Sequence, residues 1–342
     1  MENTSTDKPD INYSRKIILP ILLLVLLGVI LVIWDGKQII EVLRLADWHP
    51  IPGTFFFVAF SYLCISYSYV IVARLMGIQM GARDLAETCF TTTVMNHIVR
   101  SGGLAGYSVR YLIMKQHGVS LNDVLSSSFM HFYLSSLDML VMLPVGIAYV
   151  FLTIDLPQGV AVLLGALTVL SALFAFLFTL VIFNTNFRRW LADIASWFVR
   201  KVAHRDVDES LYKFNRRMTY GTKVLRQHPW KSLAVILLVF MDWWASVIAF
   251  GFCLDAFGPA LPIGAVVAVF VIGIMAGVVS ALPGGIGVQE GAMTGLAVLL
   301  GATFEQAILA AMLFRVVYYF IPYLLSPLFY MRLLRAPASS GS

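Results

Sequence analysis

The chain has 342 residues, 59% of them hydrophobic and 13% charged, with 24 Lys and Arg against 19 Asp and Glu. A soluble domain carries about 45–50% apolar and about 25% charged residues, so this excess excludes a soluble enzyme and points to lipid as the solvent. Several apolar runs reach the roughly 17–25 residues that cross a hydrocarbon core about 30 Å thick, and the ten-residue alternation of an outer-membrane barrel is absent. The expected fold is an all-α polytopic membrane protein.

An N-tail, residues 1–16, precedes the first apolar run at 17–33. That run follows Arg15 and Lys16 but leads into Trp34-Asp35-Gly36-Lys37 without a small-x-small cleavage site, so it reads as a retained span. Further apolar runs lie at 52–73, 124–152, 159–183, 232–254, 262–282, 286–300 and 304–330. Between the second and third spans, Arg83, Asp84, Glu87, Asn96, His97, Arg100, Arg110 and Lys115 make the chain too polar to face lipid. Backbone that dips into a membrane without crossing is tolerated only under protein or beside water, so 85–99 and 104–116 read as a re-entrant helical hairpin with Ser101-Gly102-Gly103 at its tip. The segment 184–231 contains an interfacial helix: Phe187, Trp190, Leu191, Ile194, Trp197, Phe198 and Val202 share one face, opposite Arg188, Arg189, Asp193 and Arg200. Its basic residues flank spans, which favours a membrane surface over nucleic acid. Residues 17–335 are thus expected to form one transmembrane domain, and 336–342 a flexible tail.

Orientation follows from Lys and Arg. With the N-terminus cytoplasmic and each hairpin returning to its own side, cytoplasmic segments hold 3 basic residues in the N-tail, 5 from Arg74 to Lys115, 11 from Arg188 to Lys231 and 2 in the C-tail; only Lys37, Arg44 and Arg315 remain. The positive-inside rule is satisfied, with both termini cytoplasmic.

A repeat organises the chain. Ser101-Gly102-Gly103-Leu104 resembles Pro283-Gly284-Gly285-Ile286, and with one inserted residue the stretch beginning Gly118-Val119-Ser120 aligns with that beginning Gly301-Ala302-Thr303. Each unit, about 52–152 and about 232–330, reads as span, hairpin with a Gly-Gly tip, span. The first hairpin would enter from the cytoplasm and the second from outside, an inverted repeat of the kind that places transporter sites near the midplane. The expectation is about six full spans plus two re-entrant hairpins, or eight or more helices if both arms of 262–300 cross. Gly-Gly permits a sharp turn, and the helix after each tip would aim N–H groups and its positive dipole end inward, where a phosphate or carboxylate is favoured. Helix packing alone is the competing account of Gly102, Gly103, Gly284 and Gly285.

The stretch from Leu282-Pro283-Gly284-Gly285 through Ile286-Gly287-Val288-Gln289-Glu290-Gly291, with Gly102-Gly103 and the stretch from Val109-Arg110 to Gly118, resembles the lysylphosphatidylglycerol synthetase transmembrane-region family. This is the flippase-like membrane module of the multiple peptide resistance factor, with stand-alone bacterial and archaeal versions, and the likeness covers about residues 15–335. Its most specific part is Pro-Gly-Gly-x-Gly-x-x-Glu. The resemblance implies a translocase for a charged or glycosylated lipid in a bacterial or archaeal cytoplasmic membrane. Fused members add a soluble aminoacyl-transferase domain; this chain reaches Ser342 without one, so synthesis of an aminoacylated lipid is not expected of it alone.

Asp138, Asp242 and Arg315 lie near the middle of their spans, and Glu290 a turn and a half after the second tip. A charge at a helix centre costs about 2.5–3.5 kcal/mol on insertion scales, so each requires a partner or a cavity. Glu290 reads as a site carboxylate or as a cap on helix N–H groups, and Arg315 as a site cation or as half of a structural pair with Glu290 or Asp138. Asp138 and Asp242 read as proton carriers or as partners of a neighbouring hydroxyl or backbone group. Arg100 and Arg110 bracket the first tip and suit a bidentate grip on phosphate, against which stands simple positive-inside anchoring. His97 and His131 are candidate proton relays or satisfied interior histidines. Tyr318, Tyr319, Tyr323, Trp34 and Trp48 read as interface markers or groove lining, without chemistry. Cys64, Cys89 and Cys253 are isolated, and no Walker loop, nucleophile elbow or H-E-x-x-H pair occurs, so no metal or cofactor is expected. The simplest drive is protonation of Glu290, Asp138 or Asp242 under a proton gradient. Three functions follow: a non-enzymatic lipid flippase, a headgroup transferase using Glu290 or Asp242 as base, and a non-transporting partner that docks lipid or glycan biosynthetic enzymes through 187–231. Neither a heptad seam nor a small-xxx-small face indicates an oligomeric state.

Overall fold

The structure, a computed structural model, describes residues 40–98, 104–155, 157–203, 208–280 and 282–335. The N-tail, the expected first span, Trp34, the first tip with Arg100, Gly102 and Gly103, and the tail 336–342 lie outside the described residues. The chain divides into two compact units, 1–46 and 47–342. Of the first, residues 40–45 are helical. The second holds twelve α-helices and, among the described residues, no strand.

Among the described residues, five helices are long and apolar enough to cross a membrane: α1 (Ile51–Leu75), α4 (Leu121–Thr153), α5 (Gln158–Phe183), α8 (Pro229–Asp255) and the continuous helical run Phe304–Arg335. The hairpin between α1 and α4 consists of α2 (Ala82–Ile98) and α3 (Leu104–Gln116). Helices α6 (Thr185–Ala203) and α7 (Asp208–Gln227) follow α5, and α9 (Ile263–Val279) and α10 (Val288–Leu299) follow α8. The last run consists of α11 (Phe304–Arg315), a π-turn at Val316–Phe320 and α12 (Ile321–Arg335). All four hairpin arms are short, and the shortest, α10 with 12 residues, reaches only about 18 Å at 1.5 Å per residue against a core of about 30 Å. Each pair of arms packs side by side. The run 262–300 is therefore a pair of short helices packed side by side around the second tip.

The residues aligned as repeats do the same local work. Gly118 and Gly301 both have positive φ, 76° and 106°, a conformation in which a side chain would be strained. Two residues later, Ser120 accepts a hydrogen bond from the Asp123 N–H and Thr303 from the Gln306 N–H, capping α4 and α11. Packing between the two aligned segments, about 52–152 and about 232–330, is exchanged: α2 lies against α12, α9 against α4, and α1 against α8. On the first contact, Arg332 of α12 reaches Asp84 at 2.5 Å and Glu87 at 2.6 Å on α2. A core cluster that includes Tyr69, Leu85, Cys89, Ile113, Met114, Val124 and Leu333 closes the space between α1, α2, α3, α4 and α12.

Helix α6 is amphipathic as expected, with Trp190, Ile194, Trp197 and Phe198 between 44 and 59% exposed. One placement differs. Arg188 does not join the solvated face: it is 4% exposed, and its guanidinium donates to the carbonyls of Val181 (2.9 Å) and Ile182 (2.7 Å), to Asn215 Oδ1 (2.5 Å) and to Thr219 Oγ1 (2.6 Å). The unpaired carbonyls at the C-terminal end of α5 need donors, and an arginine one turn into the next helix supplies them. Burial, and then the charge of Arg189, lower its pKa from the ordinary arginine value.

Candidate functional site

The second tip is built from its glycines. In Pro283-Gly284-Gly285-Ile286-Gly287, the φ angles of Gly284, Gly285 and Gly287 are 64°, 61° and 84°. This left-handed run folds the chain back between α9 and α10 and turns the Gly284 carbonyl toward α11, where Arg315 Nη1 donates to it at 2.9 Å. Glu290, in the first turn of α10, accepts from the Gly287 N–H at 2.7 Å through Oε2, and its Oε1 forms an ion pair with Arg315 Nε. The side chains of Arg315 and Glu290 are 5% and 3% exposed. Glu290 thus caps the helix, one of its two expected readings, and is the partner of Arg315, one of the two acids expected for that pair. Arg315 also lies 4.8 Å from the centre of the Tyr319 ring, while its buried Nη2 has no hydrogen-bond partner among the described residues. A buried pair of this kind is costly to desolvate and adds little net stability over apolar residues of similar volume.

The end of α2 approaches this tip. Helix α2 packs against 283–285, and the His97 ring lies 5.1 Å from that of Tyr319 and 5.4 Å from that of Tyr318. His97 Nδ1 is 3.1 Å from the Tyr62 hydroxyl, which donates to the carbonyl of Tyr318 at 3.0 Å. Tyr319 shares a hydrogen bond of 3.2 Å with the side chain of Gln289.

Asp242, on α8, is 8% exposed and accepts a hydrogen bond from Ser61 of α1. Ser61 Oγ lies 3.1 Å from Ser246 Oγ and 3.5 Å from the Tyr318 hydroxyl. Asp138, on α4, is 9% exposed, and its Oδ2 has no hydrogen-bond partner among the described residues. The structure thus groups Glu290, Arg315, Gly284, Gly285 and His97 around the second tip, with Asp242 alongside.

Arg110 and His131 stand apart from that group. Arg110 is 3% exposed and points into the hairpin rather than to its tip, donating to Ser128 Oγ (3.0 Å) and Thr92 Oγ1 (2.8 Å) and lying 4.0 Å over the Tyr69 ring. His131 Nε2 is 2.7 Å from Ser68 Oγ. Ser61, Tyr62, Gln289 and the tyrosines of the π-turn were not singled out as polar site residues by the sequence. The available signal was spacing: Tyr318 and Tyr319 follow Arg315 by three and four residues, on its own helix face.

Long apolar helices, two helical hairpins and an ion pair enclosed at a glycine tip define an all-α, multi-pass membrane protein with a charged site inside its helix bundle. The chain belongs to the family described as lysylphosphatidylglycerol synthase TM region, which it matches over residues 17–326. It is also 23% identical, over 271 residues, to the phosphatidylglycerol lysyltransferases of Staphylococcus aureus strains COL and MSSA476. The match covers 78% of this chain and 27% of those relatives, so the chain spans about a quarter of their length.

Proposed function

We propose that this protein is a lipid translocase that passes an anionic or glycosylated headgroup between the leaflets of a cytoplasmic membrane, with the headgroup held between the two hairpin tips. The observation that carries the reading is the Arg315–Glu290 pair. It is enclosed in the bundle, clamped to the carbonyl of a Gly-Gly tip, and leaves one guanidinium nitrogen without a partner. A phosphate offers Arg315 two oxygens in place of one carboxylate contact, and arginine suits bidentate phosphate recognition. Glu290 then keeps the Gly287 N–H and re-forms the ion pair when the headgroup leaves. The repeat units about 52–152 and about 232–330 are read as inverted, with the hairpins re-entrant from opposite sides, both termini cytoplasmic and alternating access exchanging which hairpin is sealed. Exchanged packing of each hairpin on the other unit's last helix supports that reading. Arg100, Gly102 and Gly103 would supply the first tip's share of the site. The relatives' printed name makes phosphatidylglycerol, or its lysyl derivative, the first cargo to test.

The test is leaflet exchange of fluorescent lipids in proteoliposomes, comparing anionic, zwitterionic and glycosylated headgroups against protein-free vesicles. Headgroup-dependent exchange is expected, reduced by at least about tenfold in Arg315→Ala, since loss of one charge-assisted contact removes about 1.5–3 kcal/mol. Equal exchange by wild type and the Glu290→Gln, Arg315→Ala double variant would sink the reading.

The exposed Trp190, Ile194, Trp197 and Phe198 on α6 favour a second reading, a membrane partner that docks biosynthetic enzymes. It predicts that Trp190→Ala with Trp197→Ala abolishes function in cells while Arg315→Ala does not.

A further inference from the structure

Two buried carboxylates lie on helices that pack together. Among the described residues neither Asp138 nor Asp242 forms an ion pair, although both are at least nine-tenths buried. Asp242 accepts one hydrogen bond, from Ser61, and Asp138 Oδ2 accepts none. Their helices pack together, with Trp243 Nε1, next to Asp242, donating at 3.4 Å to the carbonyl of Ser135, three residues before Asp138, and the charge of Asp138 acts on Asp242. Around Asp242 stand Ser61 of α1, which donates to it, and Ser246 and Tyr318, whose hydroxyls lie 3.1 and 3.5 Å from Ser61 Oγ; the other titratable groups that interact with its charge are Tyr62 and Cys64 of α1, Asp138 of α4 and Cys89 of α2. Helix α9 has no titratable residue, α7 meets α8 through Met218 and Leu225, and the one cation of α11, Arg315, is held by Glu290 and Gly284. Two like charges enclosed without a counter-ion cannot both persist; the inexpensive state carries a proton.

The π-turn joins this acid pair to the tip. Tyr318 places its hydroxyl in the Ser61–Ser246 cluster beside Asp242, and its ring stacks on Phe314 at 4.9 Å. The next residue, Tyr319, lies over Arg315 and bonds Gln289 of α10. Adjacent residues of one five-residue turn therefore touch the two charged sites, and single-turn π-segments recur where helices carry function.

We propose that Asp138 and Asp242 form the coupling site of the translocase, taking up and releasing one proton per headgroup, and that the π-turn transmits its charge state to the Arg315–Glu290 pair. The proton moves onto a carboxylate oxygen of the pair from one side of the membrane and leaves to the other; no covalent bond to the lipid forms or breaks. This inference rests on the translocase reading and assigns its energy source to a site distinct from the headgroup site.

The experiment uses the whole chain in proteoliposomes, with a pH-sensitive dye in the lumen and the fluorescent lipid that exchanges fastest. One proton per headgroup, under an imposed gradient of about one pH unit, predicts about tenfold lipid asymmetry between leaflets, accompanied by a change in lumenal pH. Asp242→Asn and Asp138→Asn should abolish the asymmetry and the lumenal change. Infrared spectra of the wild type should contain a protonated-carboxyl band that either substitution weakens; this measurement holds even where a variant no longer exchanges lipid. Wild-type exchange that proceeds to symmetry under the gradient, with no lumenal change, overturns the coupling proposal and leaves the translocase intact. Asymmetry driven by a sodium gradient at constant pH would also overturn it, making the pair a sodium site. Absence of any exchange would instead remove the translocase reading on which the inference rests.

Discussion

At the scale of single residues, the decisive contact is the enclosed pair of Arg315 and Glu290. Removing one member leaves the other charged and buried, which costs about 3–5 kcal/mol, whereas replacing both with apolar residues of similar volume is close to neutral. Glu290→Ala should accordingly lower the unfolding midpoint in detergent, and Glu290→Ala with Arg315→Leu should recover much of the loss while still failing to exchange lipid. Recovery of both stability and exchange would assign the pair to scaffolding. Arg315→Lys tests geometry separately: an ammonium can keep the charge but cannot span Glu290 and the Gly284 carbonyl with one planar fork, so exchange should fall while stability changes little.

At the scale of elements, the two capping residues give a direct comparison. Ser120→Ala and Thr303→Ala should each cost about 0.5–2 kcal/mol, and similar losses from both, read from thermal unfolding in detergent, are the expected outcome for positions aligned in a repeat. Much of the element order was legible because lipid enforces long apolar runs, and the observed helices α1, α4, α5 and α8 lie within a few residues of the apolar runs. The second hairpin tip was legible for a different reason, since paired glycines have few other uses between apolar segments. Helices α9 and α10 were ambiguous in the sequence because both arms are apolar enough to cross, and the structure adds that the unbroken helix in them is short, 17 and 12 residues. Side-chain direction was not legible: Arg110 and Arg188 look like interfacial anchors in a sequence, but hydroxyls on α2 and α4 and exposed carbonyls at the end of α5 draw them inward. The ion pair at the second tip was half legible, since the charges required partners but the sequence did not choose between Glu290 and Asp138 for Arg315. The Ser61, Tyr62 and Tyr318 contacts join residues 181 or more positions apart to one another or to Asp242, so no local pattern contains them.

At the scale of the whole molecule, the arrangement predicts which loops face which side. The three native cysteines are buried, so single introduced thiols can be read against a quiet background. Lys213→Cys should react with an impermeant maleimide only from the cytoplasmic side, and Asp155→Cys and Glu305→Cys only from the other; reaction of all three from one side would remove the inverted arrangement. One further consequence concerns the π-turn at Val316–Phe320, which holds one residue more than an α-helical ladder over the same rise. Closing that turn into regular α-helix would change the azimuth of everything beyond it by about 100°, the angle one residue subtends in a helix of 3.6 residues per turn. Arg332 lies beyond it, gripping Asp84 and Glu87 on the first hairpin. Such a closure next to Arg315 would swing the far end of α12 off α2, so the contacts that Arg332 makes at the base of the first hairpin require the π-turn to stay in place.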